Sequence, residues 1–345
     1  MIFLSRQYDK PSLDFLLIKE ELEKRFPTVK CRLLTKKVEL TVGALILYLP
    51  EVLKQMYHLA TSTVCLVDSY IIPVSLLKHK KQLLIIQTWH AFVTVKQFGY
   101  QTLDKEGGRS KQLALSLKMH RNYDYAIAGS KMARLHFSQA FAMPLEKVLA
   151  CGLPKIDWLI ENQEAIKTKI LQHYPDLNDK RVILYVPTFR RWQFDGSEEL
   201  ERCFKGSNYY LVVKPHPSDE NYDKALTAKY ADFSSSEMLT IAEYVVTDYS
   251  AIAFEALAID RPVLFYVPDY ERYCKENGLN IDPYQLMPGN TVQKAGELYE
   301  IISTGRYDHS DYQKVKTDYV AHEGRAVDNI VKLIGDHLND LNSRN

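Results

Sequence analysis

Two histidines stand directly after apolar runs of strand length, and each brings other hydrogen-bonding groups with it. His90 follows QLLIIQT in the stretch QTWHAF, with Trp89 before it and Lys96 and Gly99 downstream. His216 follows YYLVV in KPHP, beside Lys214 and between two prolines. An imidazole titrates near neutral pH, so a ring delivered by a buried strand suits general-base work or charge stabilisation. Either ring could instead be satisfied by a backbone carbonyl, and KPHP could be a turn fixed by its prolines.

Two more strand ends carry polar clusters. Thr188, Phe189, Arg190 and Arg191 follow RVILYVP, and a hydroxyl with two planar guanidinium forks suits anionic oxygens. In VVTDYSAIAFEAL, residues 245–257, Thr247, Asp248, Tyr249 and Ser250 lie between a β-branched strand end and a helical pattern. The spacing places Ser250 at or near the helix N-cap, with free amides from Ala251 onward that favour a phosphate. Glu255, one to two turns into the helix, is in reach of a ribose hydroxyl or faces solvent. Ser250 as a plain cap is the alternative reading.

Short apolar runs alternating with helical patterns position these clusters. We expect strands at 44–50 (ALILYLP), 63–68, 82–88, 123–129, 147–152, 181–187, 209–215, 243–248 and 261–267. Their apolar residues are nearly continuous, as in parallel sheets covered on both faces. A chain of 345 residues exceeds one ordinary core. The polar stretch 161–180 marks a boundary, giving an N-terminal Rossmann-like domain over 1–162 and a C-terminal one over 163–345, with the last helix free to pack back on the first domain. Two αβα domains of this kind bind ligands in a cleft at the carboxyl ends of their strands.

Composition narrows the classes further. A net charge of +1 argues against a general nucleic-acid binder. Five scattered cysteines without a CxxC or Cys/His cluster suggest neither a metal site nor a disulfide framework. No apolar run spans a bilayer and the first residues lack signal-peptide features, so the expectation is a cytoplasmic protein. Basic groups at Lys30, Arg32, Lys36 and Lys37 and at Lys78, Lys80 and Lys81 are solvated faces or contacts for an anionic membrane surface.

QTWHAF (87–92), YDYAIAGS (123–130), GLPKID (152–157), ILYVPTFRR (183–191), VKPHP (213–217), VTDYSAIAFEALAIDRPVLFYVPD (246–269) and HEGRAVDNI (322–330) occur in that order. Together they resemble the CDP-glycerol glycerophosphotransferases of teichoic acid and capsule synthesis, whose fold is GT-B, and the order is more specific than any one motif. Departures are Ala91 for a glycine, Ala251 for a second serine, and Asn277-Gly278 near the place of an Arg-Gly pair. CDP-ribitol therefore stays open beside CDP-glycerol.

The resemblance implies transfer of a polyol phosphate from a CDP-polyol to a hydroxyl of a lipid-linked polyprenyl-diphosphate saccharide or polyol-phosphate acceptor, releasing CMP. It implies His90 as the base and His216 as the group stabilising charge on the donor pyrophosphate. Ser250 and the Ala251 amide would hold phosphate; Thr188, Arg190, Lys214 and Asp248 would support the donor, and Glu255 the ribose. Trp89 and Lys96 are acceptor-side candidates. No tightly bound cofactor or protein-held metal is expected, and a divalent cation, where used, would ride on the donor pyrophosphate. The implied location is peripheral, at the inner face of the cell membrane. Two other readings use the same features: a GT-B glycosyltransferase with a nucleotide-sugar donor, and a non-catalytic nucleotide-binding subunit of an envelope-polymer complex.

Overall fold

A computed structural model of the chain describes residues 1–38, 42–105, 108–194, 196–216, 219, 221–320 and 324–343, with the side chains of 42–46 excluded. Chain contacts divide it into two units. Unit 1 comprises Met1–Phe92, Phe98–Asp157 and His322–Asn345, and unit 2 comprises Val93–Gln97 and Trp158–Ala321. The division falls at 157/158, inside the helix Pro154–His173, rather than in the polar stretch after 162. The last helix, Ala326–Ser343, belongs to unit 1.

Unit 1 holds a parallel sheet of six strands: β1 (Ile2–Ser5), β2 (Arg32–Thr35), β3 (Val64–Val67), β4 (Leu84–Gln87), β5 (Tyr125–Ala128) and β6 (Val148–Ala150), in the order β2-β1-β3-β4-β5-β6. Every residue of β3 and β4 is buried, the mark of a strand covered on both faces. Phe3 meets Phe15 of the helix Leu13–Arg25 edge to face at 5.2 Å. Ile18 and Leu22 of that helix join Ile330, Val331 and Ile334 of the last helix in the same core.

Unit 2 holds β7 (Arg181–Tyr185), β8 (Tyr209–Val213), β9 (Ala242–Thr247), β10 (Val263–Tyr266) and β11 (Thr291–Val292), in the order β11-β10-β9-β7-β8, all parallel. In each sheet the strand order reverses once beside the first strand. The reversal lies between β1 and β3 in unit 1 and between β7 and β9 in unit 2. Diverging connections leave a crevice at such a point, outside the carboxyl ends of the strands.

One expected strand is a helix. Residues 44–50 lie inside the helix Val42–Thr61, which carries Pro50 in its interior. The run is built of alanine and leucine, strong helix formers, with isoleucine as its only β-branched residue. The sequence reading passed over β1, β2 and β11, each of four residues or fewer.

Candidate active site

The carboxyl end of β4 holds His90 in one orientation. The Gln87 side chain accepts from the Trp89 amide at 2.9 Å and donates to Ser69 O at 3.2 Å, tying the loop to the end of β3. Trp89 takes φ 55°, a left-handed conformation uncommon for a bulky side chain, and stacks on Phe98 with ring centres 4.6 Å apart. Gly129 donates its amide to Phe92 O at 3.1 Å, and a Cβ there would come within 2.3 Å of that oxygen. The loop is thus clamped on both sides of the histidine.

His90 Nδ1 lies 2.9 Å from the carbonyl oxygen of Asp68. A carbonyl only accepts, so Nδ1 carries the proton and the neutral ring presents Nε2 as a base. The ring remains open to solvent, while surrounding protein lowers its pKa by desolvation; the Asp68 carbonyl raises it and Lys155 lowers it. A neutral ring at pH 7 is the form a general base needs.

In unit 2 the four polar residues of TDYS divide into three that face inward and one that does not. Thr247 Oγ1 donates to Val186 O at 2.7 Å. Asp248, fully buried, accepts from the Thr188 amide at 3.0 Å and from Arg190 Nη1 at 2.5 Å. Tyr249 stacks on Tyr273 at 3.7 Å. Ser250 is half-buried, and its Oγ accepts at 3.3 Å from the amide of Ile252, the first residue of the helix Ile252–Ala258, while Ala251 holds the N-cap position. Among the described residues, the amides of Ser250 and Ala251 donate to no acceptor.

Arg190 corrects the sequence reading. Its guanidinium grips Asp269 with two bonds of 3.1 and 3.0 Å while also bonding Asp248 and Thr188 O, and its side chain is 1% exposed. Two carboxylates therefore occupy the fork expected to hold phosphate. Lys214 also turns away, donating Nζ to Tyr230 O at 2.7 Å. Glu255 is buried and accepts from Ser236 Oγ at 2.5 Å rather than facing solvent. Thr188 is buried at the end of β7, and its Oγ1 has no partner among the described residues.

Lys96, expected on the acceptor side, belongs to unit 2. Its segment bridges to Leu279, Gln97 donates its amide to Gly278 O at 3.2 Å, and Asn280 Nδ2 donates to Lys96 O. Gly278 has φ 70°, and a Cβ there would lie 2.4 Å from Gln97 Oε1, so glycine is required at this joint. Lys96 is exposed as a residue, yet desolvation by the protein around its ammonium lowers its pKa; Asp248 raises it and Arg190 lowers it. His216 is exposed, its ring 6.1 Å from Phe189. Desolvation lowers its pKa, Lys96 lowers it further, and Asp219 raises it. Lys96 thus adds positive potential, and His216 a neutral imidazole, near the β7/β9 crevice, where Ser250 and Thr188 also sit.

Among the described residues, no group of three or more His, Cys, Asp and Glu is placed to hold a metal ion. Nor is any described helix long and apolar enough to cross a membrane.

A family model described as CDP-Glycerol:Poly(glycerophosphate) glycerophosphotransferase matches residues 1–336. The chain is 29% identical to a teichoic acid ribitol-phosphate primase of Bacillus spizizenii, covering 98% of this chain and 91% of the relative. It is 30% identical to a teichoic acid poly(ribitol-phosphate) polymerase of the same organism, over 75% of this chain but 44% of the longer relative. The solved wall teichoic acid polymerase TagF, H548A variant, superposes with TM-score 0.71 at 19% identity, over 99% of this chain and 89% of that one, which supports a GT-B-like fold.

Proposed function

The chain belongs to the CDP-glycerol:poly(glycerophosphate) glycerophosphotransferase family, transferases of a polyol phosphate from a CDP-activated donor, and on that premise we propose how its residues divide the work. His90 Nε2 takes the proton of the acceptor hydroxyl. The acceptor oxygen attacks the phosphorus that bears the polyol, the bond from that phosphorus to CMP breaks, and CMP leaves. His216 and Lys96 stabilise charge on the pyrophosphate, and Ser250, Thr188 and the Ser250 and Ala251 amides bind its oxygens. A divalent cation, where one takes part, travels with the donor. The observation that carries this reading is the His90–Asp68 hydrogen bond, which fixes the basic nitrogen outward.

The experiment is a donor screen. CDP-ribitol and CDP-glycerol are each incubated with the protein and a polyprenyl-diphosphate saccharide acceptor, and CMP is measured, with a UDP-sugar as control. CMP release that requires acceptor supports the reading; UDP release alone would replace it with sugar transfer.

A peripheral place on the membrane completes the proposal. Leu49, Leu53, Met56 and Tyr57 form one exposed stripe on the helix Val42–Thr61, while Gln55 and Leu59 of the same helix are buried. An exposed apolar stripe ending in tyrosine suits the headgroup boundary of a bilayer, where a lipid-linked acceptor resides. Replacing Leu49, Leu53 and Tyr57 with serine should abolish co-sedimentation with anionic vesicles and leave CDP binding unchanged. Equal co-sedimentation of the variant and the parent would remove this element.

A further inference from the structure

The crevice at the β1/β3 reversal in unit 1 holds two arginines that no element of the proposed reaction uses. Arg6 follows β1 directly, and its amide donates to Ser69 Oγ at 3.3 Å, on the segment that leaves β3. Arg109 comes from the loop before the helix Lys111–Ser116, where its carbonyl accepts from the Asp104 amide at 3.0 Å. Both guanidiniums lie against the ring of Tyr70, at 5.3 and 5.4 Å from its centre. Tyr70 is buried and fixed by its hydroxyl, which donates to Leu117 O at 3.0 Å.

Among the described residues, neither arginine belongs to an ion pair. The groups acting electrostatically on Arg6 are Arg109, Tyr70, Tyr48 and Tyr123, none of them a carboxylate. Both side chains are half-buried. Two like charges held together and partly desolvated raise the energy of the free protein, and an anion between them would relieve it. The contrast with Arg190, which carries two carboxylates, is direct. The pair also adjoins the His90 loop: the ring of His120 packs against Tyr70 at 5.4 Å and against Trp89 at 6.2 Å.

We propose that Arg6 and Arg109 form an oxyanion site on unit 1 that takes a phosphate or diphosphate group. Resting on the transfer reading, the group is that of the acceptor, held while its hydroxyl is presented to His90. Planar guanidinium forks match the spacing of phosphate oxygens, and the Tyr70 ring sets their orientation.

The test uses the full chain and inorganic pyrophosphate as probe, titrated calorimetrically with CDP present at saturation to fill the donor side. Arg6→Gln and Arg109→Gln should each weaken pyrophosphate binding about tenfold or more, as expected for loss of one charge-assisted contact, with an unchanged CDP affinity and a melting temperature no lower than the parent's, since each relieves the repulsion. Each should raise the KM for the lipid-linked acceptor and not that for the donor, and Arg→Lys should restore part of the loss. Equal pyrophosphate affinity in the parent and the double variant overturns the site. So does loss of binding to phosphatidylglycerol vesicles with pyrophosphate binding intact, which would make the pair a headgroup contact. Arginine-dependent pyrophosphate binding in a chain that fails to bind CDP would sink the transfer reading and leave this site standing.

Discussion

His90 Nδ1 and the main-chain oxygen of Asp68 are 2.9 Å apart, and that bond settles which nitrogen of the ring is basic. Desolvation places the ring's pKa below its ordinary 6.5. With His90 as the proposed base the neutral form is the active one, so kcat/KM should be flat at neutral pH and fall as pH drops through a value below 6.5, tracing an acid limb. His90→Ala should lower turnover by about 10²- to 10⁴-fold without altering the melting temperature. A pH profile from about 5 to 8 on both proteins checks this; an unchanged acid limb in the variant assigns the base elsewhere.

Arg190 should behave as a structural residue. Arg190→Met leaves Asp248 and Asp269 without their shared cation, a loss of about 3–5 kcal/mol for a broken buried pair. Urea unfolding measures it. A stable variant with weakened donor binding would return Arg190 to the phosphate.

Ser250→Ala separates the local turn from binding. The turn is held by one bond of 3.3 Å, so the stability loss should stay near ~1 kcal/mol. Loss of a hydrogen bond to a charged phosphate should raise the donor KM about tenfold, read by initial rates over a range of CDP-polyol. An unchanged donor KM would confine the residue to the turn before the helix.

Stability should depend on pH through His120, which is buried and pushed down to about 3 by desolvation first and by Arg6 and Arg109 next. Between its folded value of about 3 and its ordinary 6.5, the unfolded chain binds a proton that the folded chain refuses, so stability falls as pH drops. By pH ~5 the loss is about 2 kcal/mol. Asp68, raised to about 6 by burial, acts in the opposite sense between 3.8 and 6. His120→Gln should therefore raise stability at pH ~5 relative to pH ~7 by about 2 kcal/mol, leaving the opposite trend of Asp68 uncovered, and an unchanged pH dependence would show that the ring is not held neutral.

The doubly wound sheets were legible because β3 and β10 are unbroken apolar runs and β4 is one up to its last residue, Gln87. The strand Ile2–Ser5, as long as β3 or β4, was overlooked at the start of the sequence, and the helix Val42–Thr61 was hidden by a leucine-rich segment that fits either period. His90 and Ser250 stand out as candidates in sequence because each lies three residues after a strand. Arg190 could not be placed, since its carboxylates lie 58 and 79 residues away and only folding brings them to it. The side on which Lys96 lies was equally invisible, being set by the pairing with Leu279. Arg6 was overlooked together with the strand that precedes it.

The core shared by Phe3, Phe15 and Ile334 has a consequence for biosynthesis. A ribosome delivers residues 1–157 first, but the helix that finishes their core arrives after the whole continuous stretch of unit 2. Unit 2 can close while unit 1 still exposes the groove for its last helix, so the usual order of domain folding along a nascent chain is inverted here.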